Sequence, residues 1–458
     1  MLGVATLLVV NAVMSGFSTK LKDRLHGVLS DVVIDTDRMD GFPEPPADLI
    51  KRIEASNIGT RIAGITPTVE VFAILQHDFR GQVITKPIRL IGIDPAGRAS
   101  VGGFSEYLVR QHGETVPTFD LTPEALKRHE ANKRQRELAD NQLRVFESAE
   151  PKSLLTDPNA IPSPNLEVMR SGMPEPKLHG IIPGYTLAHF RFRDEQGKVM
   201  EEVGLNPGDA VTITTVGGSQ LKPVWGTFLV ADYLRTEMSE YDQSFVYVPL
   251  AQVQQMRGMG DRATALQIKL KNYEKDKGAV TSELRKLFPY ADVRVATWEE
   301  HQGPLLAAID VERGILNLLL FMIVGVAGFS ILAIFTMIVS EKYRDIGILK
   351  ALGSSSQGVM SIFVGYGLLL GAVGCGLGTL LGMAITDNIN QIEAFLTRVS
   401  GRAFFPRDVY YFKEIPTNVD LTNVLLVNLG AITIAVLFSL LPAWRAARLH
   451  PVQALRFE

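Results

Sequence analysis

Three stretches of the chain carry no charged side chain: Ile315–Val339, Val359–Ile385 and Leu421–Trp444. Each exceeds the roughly 20 helical residues needed to cross a hydrocarbon core, and each is too long for an ordinary buried helix of a soluble protein. The pattern predicts a transmembrane helix in each. A fourth apolar stretch, Leu2–Met14, is interrupted only by Thr6 and Asn11 and is shorter. No basic residues precede it, so it makes a poor secretory signal. Two readings stay open: a signal-like remnant, or a first transmembrane helix over 1–17 whose start lies upstream of Met1.

Between the first and second apolar segments runs a long polar stretch from about Ser18 to Arg313. Alternation over Ala210–Thr215 and Ser244–Pro249 predicts strands. Gly208-Asp209 and Gly217-Gly218 predict turns. Asp48–Ser56 and Ala279–Phe288 space their apolar residues as helices do. Thr122 to Phe146 stands apart, dense in charge, with Thr122 placed as an N-cap and Pro123 at the first helical position. Leu126, Leu138, Leu143 and Val145 form its thin apolar stripe. A solvated helix and a partner-docking surface both fit that stripe. Pro151–Pro176 reads as an extended connection.

Composition separates these two parts without adding a chemistry. Hydrophobic residues make up 46% of the 458, yet 21% are charged. The mean hydropathy of +0.14 fits one polar and one very apolar region. A net charge of −3 leaves no footprint for nucleic acid. A single cysteine, Cys375, excludes an internal disulfide and a cysteine metal cluster. The chain has no G-x-x-x-x-G-K-[ST] phosphate loop, no H-E-x-x-H and no G-x-S-x-G. Asp37-x-x-Asp40 and Glu299-Glu300-His301 read as solvated turns or helix ends. No catalytic or metal-ligating set emerges, and no bound cofactor is expected.

Two patterns speak of membrane mechanics instead. Gly367 and Gly371 lie four apart in the third apolar segment, as do Gly374, Gly378 and Gly382. Small residues at that spacing let helix backbones approach closely in lipid, where packing replaces the hydrophobic drive. Between the second and third segments, Glu341 to Gly353 predicts a short amphipathic helix. Ile348, Leu349 and Leu352 share one face, with Ile346 beside it. Glu341, Lys342, Arg344, Asp345 and Lys350 make up the polar remainder, and Gly353 is placed to end the helix. Such a helix can lie on lipid or dock into a partner's groove. Basic residues lean weakly toward a cytoplasmic location for this loop and the C-terminal tail. They carry Lys342, Arg344, Lys350, Arg445, Arg448 and Arg456, against Arg398, Arg402, Arg407 and Lys413 between the last two segments.

The run Glu341–Gly353 resembles the cytoplasmic coupling helix of MacB/FtsX-type ABC permeases, and Pro442–Arg456 resembles the C-terminus of that superfamily. Further segments resemble the lipoprotein-releasing permeases of the LolC/LolE type: Val13–Phe17, Leu90–Pro95, Val203–Val211, Glu237–Asp242, Val246–Leu250 and Thr297–Glu300. About Gln111 to Lys177 has no counterpart. The hairpin expected to hold the carrier-protein hook, around Thr214–Trp225, is short here.

The resemblance implies four transmembrane helices and a large α+β extracytoplasmic domain inserted between helices 1 and 2. The domains would be 1–17 (first helix), 18–313 (MacB-like, with the charged insertion near 122–150), 314–445 (FtsX-like) and 446–458 (cytoplasmic tail). It implies a non-catalytic, multi-pass inner-membrane subunit. A cytoplasmic ABC ATPase would hold ATP and magnesium, and a second permease, a copy or a sister chain, would complete the pair. Lipoprotein would be the cargo and membrane lipid the surrounding partner. Ile346, Ile348 and Leu349 would dock on the ATPase, with Arg344 and Asp345 positioning the contact. An efflux or cell-wall-hydrolase-regulating permease of the same fold, or a membrane-anchored scaffold without ATPase, are the rival readings.

Overall fold

The computed structural model describes residues 1–149, 179–193, 199–218, 221–400 and 414–450. The expected connection over 151–176, together with Arg402, Arg407, Lys413, Arg456 and the rest of the C-terminal run beyond His450, lies outside the described residues. The chain divides into two compact units, Met1–Asp23 with Gln302–Glu458, and Arg24–His301.

Among the described residues the helices of six or more residues are α1 (Leu2–Val28), α2 (Pro46–Glu54), α3 (Pro95–Val101), α4 (Pro123–Ala149), α5 (Ser239–Ser244), α6 (Leu250–Arg257), α7 (Tyr273–Leu287), α8 (Gly303–Glu341), α9 (Tyr343–Ala351), α10 (Ser356–Asp387), α11 (Ile389–Ser400) and α12 (Leu421–Ala447). Four are long and apolar enough to cross a membrane: Leu2–Gly27 of α1, and all of α8, α10 and α12. Over the most apolar 18 residues of each, the mean hydropathies are 1.6, 2.7, 2.0 and 2.5 in that order. Helix α1 does not stop at Met14 but continues through Lys20, Lys22, Asp23 and Arg24, where Lys and Arg are good helix formers.

Within the helical unit, α10 is the hub, and its glycines explain why. A Cβ on Gly367 would come within 2.6 Å of Ser439 Cβ, and one on Gly371 within 3.1 Å of Ala435 Cβ, both on α12. A Cβ on Gly378 would lie 3.0 Å from Val4 Cβ, and one on Gly382 lies 3.3 Å from Ala5 Cα, both on α1. The two rows therefore serve two different neighbours. Gly374 is the least confined member, with nothing nearer than 3.7 Å. Cys375 is buried beside Val4, Leu8 and Val424. Thr379 Oγ1 donates to Asn428 Oδ1 of α12 at 3.0 Å, a polar tie of the kind that holds helices together in lipid. The outward faces carry exposed Phe321, Met322, Val326, Phe329, Leu369, Leu377 and Leu425. A water-facing surface rarely tolerates that much contiguous apolar area.

The second unit is α+β. Its strands are β1 (Val32–Thr36), β2 (Ile62–Phe79), β3 (Gln82–Ile93), β4 (Gly180–Pro183), β5 (His189–Arg193), β6 (Val199–Val203), β7 (Ala210–Val216), β8 (Pro223–Val230), β9 (Phe245–Pro249), β10 (Ala265–Leu270) and β11 (Val293–Thr297). Nine form one sheet in the order β11-β1-β10-β2-β3-β9-β4-β8-β7, and β5 pairs only with β6. The 18-residue β2 serves two regions. Its first half pairs with β10, and Ile74–Gln76 pair with Thr214–Thr212 of β7. That second pairing closes six strands around Val69, Leu75, Leu90, Ile181, Ile213, Val230, Val246 and Val248. A separate core lies under α2 and α7, where Leu49, Ile53, Val280 and Leu284 cover Val32, Ile34, Leu266 and Ile268.

The strands predicted over Ala210–Thr215 and Ser244–Pro249 appear as β7 and β9, and the helix predicted over Asp48–Ser56 as α2. The helix predicted to begin at Ala279 begins at Tyr273, because the Asn272 side chain accepts from Lys275 N and caps it earlier. Thr122 caps α4 as expected, accepting from Ala125 N at 3.2 Å. Of the α4 stripe, Leu126 and Leu138 are exposed; the side chains of Leu143 and Val145 lie outside the described ones. The start of α4 is clamped on the Gly208-Asp209 turn: Asn132 Nδ2 donates to Asp209 Oδ1 at 3.0 Å. Gly208 has φ +93°, and a side chain there would also run into the Ala125 backbone. The segment Leu90–Pro95 has a local logic. Gly92 admits Val253 of α6, Asp94 Oδ2 accepts from Gly97 N at 2.8 Å, and Pro95 sits at the first position of α3.

The chain enters and leaves the α+β unit side by side. Val32 pairs with Thr297 across β1 and β11, and Trp298 N donates to Asp31 O at 3.1 Å. The His26 ring stacks on Trp298 with centroids 5.3 Å apart. The buried Asp31 carboxylate meets His26 Nε2 at 2.6 Å and accepts from Lys269 Nζ at 3.0 Å and Leu270 N at 2.7 Å. Burial pushes this carboxyl up, but His26, the Leu270 amide and Lys269 together hold it below the usual carboxylate range.

Two expectations follow. Gly367→Val and Gly378→Val should lower the unfolding temperature of the full chain in detergent by several degrees. Gly365→Ala and Gly376→Ala, where a Cβ meets nothing within 4 Å, should leave it unchanged or slightly raised. The second concerns Asp242, fully buried in α5, whose Oδ1 accepts from Thr236 N at 2.9 Å and Thr236 Oγ1 at 2.7 Å. Burial raises its carboxyl to about 6. The folded state thus holds this proton to higher pH than the unfolded state, so this group destabilises progressively as pH rises from about 4 to about 6. Relative to the parent, Asp242→Asn should gain up to about 3 kcal/mol across that window and nothing above it, read from hydrogen exchange of the β9 amides.

Candidate functional site

The site is built where α8 gives way to α9. Lys342, at φ −92° and ψ 13°, breaks the helical run between Glu341 and Tyr343. Nine residues later the chain stops cleanly. Gly353 has φ +99°, its N–H donates to Lys350 O at 3.1 Å, and Ser354 N donates to Leu349 O at 3.1 Å. These two bonds form a Schellman motif, which needs a residue free to adopt the left-handed conformation. Ser355 then caps α10, its Oγ accepting from Gly358 N at 3.0 Å. The expected helix over Glu341–Gly353 is thus narrower, Tyr343–Ala351, with Glu341 closing α8 and Gly353 in the cap.

Its two faces do different things. Ile346 was expected on the docking surface with Ile348 and Leu349, but the structure puts it in the core, 4% exposed. It packs among Phe335 and Val339 of α8, Val359 and Phe363 of α10, and Ala443 and Ala446 of α12. Lys350, expected as part of the polar remainder, is a second anchor. Its Nζ donates to Ala447 O at 2.6 Å and Leu449 O at 2.8 Å. These carbonyls lie at the C-terminal end of α12, where a cation also meets the negative end of the helix dipole. Ile348, Leu349 and Leu352 are exposed at 43%, 47% and 81%. Around them lie the exposed Glu341, Arg344 and an Asp345 carboxylate paired with Lys342 Nζ at 3.1 Å. That pair is solvent-facing and adds little stability.

Helical spacing sets Ile346 about 200° from Ile348, but it does not say which of the two sides is buried. The burial was legible only in that Ile346 falls off the Ile348-Leu349-Leu352 arc. Lys350 gave no signal, because its acceptors are about a hundred positions away. The glycine rows, by contrast, sit where their spacing put them. Among the described residues no group of three His, Cys, Asp or Glu side chains could hold a metal ion. Ile346 and Lys350 thus tie α9 to α8, α10 and α12, while Ile348, Leu349 and Leu352 stay on the outside.

A unit with four helices long and apolar enough to cross a membrane, carrying such an anchored helix, fits a transporter-type permease. Residues 317–451 match the family described as FtsX-like permease C-terminal. The chain is 26% identical over 465 aligned residues to the lipoprotein-releasing system transmembrane protein LolC of Xylella fastidiosa (strain Temecula1), covering 100% of this chain and 92% of that protein. It is 29% identical over 276 residues to LolE of Haemophilus influenzae, covering 58% of this chain and 65% of that protein. A superposition on the periplasmic region of MacB from Actinobacillus actinomycetemcomitans spans 62% of this chain and 97% of that one. It has 12% identity and a TM-score of 0.29. The chain thus resembles MacB/FtsX-type ABC permeases, and within them the lipoprotein-releasing LolC and LolE subunits.

The anchor and the exposed trio are separable by mutation. Ile346→Ala leaves a cavity and should destabilise the full chain in detergent by about 2–5 kcal/mol. Leu352→Ala should stay within about 0.5 kcal/mol of the parent by the same thermal melt.

Proposed function

We propose that this chain is the permease subunit of an ABC system that takes lipoproteins out of the outer leaflet of an inner membrane. The observation that carries the reading is the short helix α9, fixed to α8, α10 and α12 through Ile346 and Lys350 while presenting Ile348, Leu349 and Leu352 outward. That is the geometry required to receive a stroke from a soluble partner. The partner is a cytoplasmic ATPase that holds ATP and magnesium, and a second permease, a copy or a sister chain, completes the assembly. In this reading α9 faces the cytoplasm, where the ATPase is, and the α+β unit and α11 face the other side. The domain limits would be 1–17, 18–313, 314–445 and 446–458, as the resemblance implies.

The relatives' names support lipoprotein as cargo. The task also suits an energy-consuming machine. Each buried acyl CH₂ holds roughly 0.8 kcal/mol, so a multiply acylated protein does not leave lipid unaided. The chain itself contributes no chemistry in this reading. The docking residues are Ile348, Leu349 and Leu352, with Arg344 and Asp345 setting the orientation. Ile346 acts from beneath, as the anchor.

The test is the double substitution Ile348→Asp with Leu349→Asp in the full chain, co-expressed with the ABC ATPase that co-purifies with the parent chain. Membrane insertion should be unchanged, while ATP-dependent release of lipoprotein from spheroplasts falls at least tenfold. Release at the parental rate would sink the docking role. Purification in mild detergent without any ATPase would favour a scaffold, and capture of a soluble compound or a cell-wall hydrolase by the α+β unit would favour the other tasks of this fold.

A further inference from the structure

α11 begins two residues after α10 ends, with Asn388 alone between Asp387 and Ile389. It is 12 residues long, roughly 18 Å, well short of the roughly 30 Å of a hydrocarbon core. None of its residues is buried. Ile392, Phe395, Leu396 and Val399 follow the i, i+3, i+4, i+7 spacing of a single helical stripe, and Phe395 and Val399 are 62% and 71% exposed. Asn390, Glu393, Thr397 and Arg398 occupy the other side, where Thr397 Oγ1 donates to Glu393 Oε1 at 3.0 Å. The start of the helix is pinned. Asn390 Nδ2 donates to Ile415 O at 3.4 Å, and Ile415 N donates to Asn390 Oδ1 at 2.7 Å. The returning chain therefore fixes the direction in which α11 sets off.

We infer that α11 is an interfacial helix that lies on the lipid surface at the outer end of α10, with Ile392, Phe395, Leu396 and Val399 sunk among the acyl chains. The occupant of the stripe follows from continuity. The exposed apolar face of α10, which includes Leu369, Leu377 and Leu380, leads toward Asp387, and α11 takes up an apolar face again one residue after that helix ends. A helix tethered that closely to the end of a span starts at the headgroup level. An apolar stripe with charged residues opposite is what that boundary selects. Glu393 and Arg398 then face water, and Arg398 reaches the headgroups along its own stem. The inference rests on α10 crossing the membrane. It places a wedge of apolar side chains in the leaflet from which the proposed cargo is drawn.

The test uses the full chain with Cys375→Ala, reconstituted into phosphatidylethanolamine–phosphatidylglycerol vesicles. Single cysteines are introduced by Ile392→Cys, Val399→Cys, Ala394→Cys and Leu369→Cys, and each is labelled with a polarity-sensitive fluorophore. Each stripe variant keeps three of the four apolar residues, and only monodisperse preparations are compared. Ile392→Cys and Val399→Cys should be quenched strongly by lipid bearing a nitroxide near its headgroup, and severalfold less by aqueous iodide than Ala394→Cys. Equal iodide access at all three positions would put α11 in water and overturn the inference. Protection of the stripe from both quenchers would mean that protein covers it, a second copy or the cargo, and would overturn it equally. Leu369→Cys must be quenched by a nitroxide deep in the acyl chain. Failure there removes the spanning reading of α10 and the inference with it, whereas failure at Ile392 and Val399 alone removes only the inference.

Discussion

One buried isoleucine and one buried-ended lysine hold the working part of this molecule together. Ile346 fills a space walled by α8, α10 and α12, and Lys350 closes the last carbonyls of α12. Without them α9 would be a nine-residue helix, too short to persist on its own. With them it is a rigid extension of three long helices. In the proposed reading its exposed apolar residues are the face that docks on the ATPase.

The helical unit also shows how packing is achieved when solvent is itself apolar. Large side chains such as Phe321, Met322 and Leu369 point outward, and the closest approaches between helices are made at glycine, alanine and serine, with Phe335, Val359 and Phe363 packed between the helices elsewhere. In lipid, burying a leucine gains little over leaving it in the acyl chains, so close backbone approach and interhelical hydrogen bonds supply the stability. Gly367 and Gly371 bring α10 onto α12, and Gly378 and Gly382 bring it onto α1. The Thr379–Asn428 bond fixes the register of α10 against α12.

The α+β unit obeys the opposite rule, with branched aliphatics inside two cores. Its termini converge because β1 and β11 are neighbours, and the fully buried Asp31 makes that convergence stiff. A carboxylate removed from water is stable only when paired and hydrogen-bonded. Here His26, Lys269 and the Leu270 amide provide that from two separate parts of the chain. Arg24 adds a further tie by donating to the carbonyl of Glu237, a non-glycine residue held at φ +59°.

The sequence by itself determined the elements whose cause is local. Charge-free runs long enough to cross lipid, the glycine spacing of α10, the caps at Thr122 and Gly353 and the alternation of β7 and β9 are all properties of neighbouring residues. The fold of these elements was therefore legible before any coordinates. The amphipathic stripe of α11 was equally local, at i, i+3, i+4 and i+7, and went unread between two louder apolar segments. Only the tertiary structure decided what depends on distant partners. It buried Ile346 while exposing Ile348, set Lys350 on carbonyls about a hundred residues away, and divided the five glycines between two helices. It also closed the six strands by joining β2 to β7. A residue's pattern says which face it shares, but only the fold supplies the neighbour that fills or leaves open the space beside it.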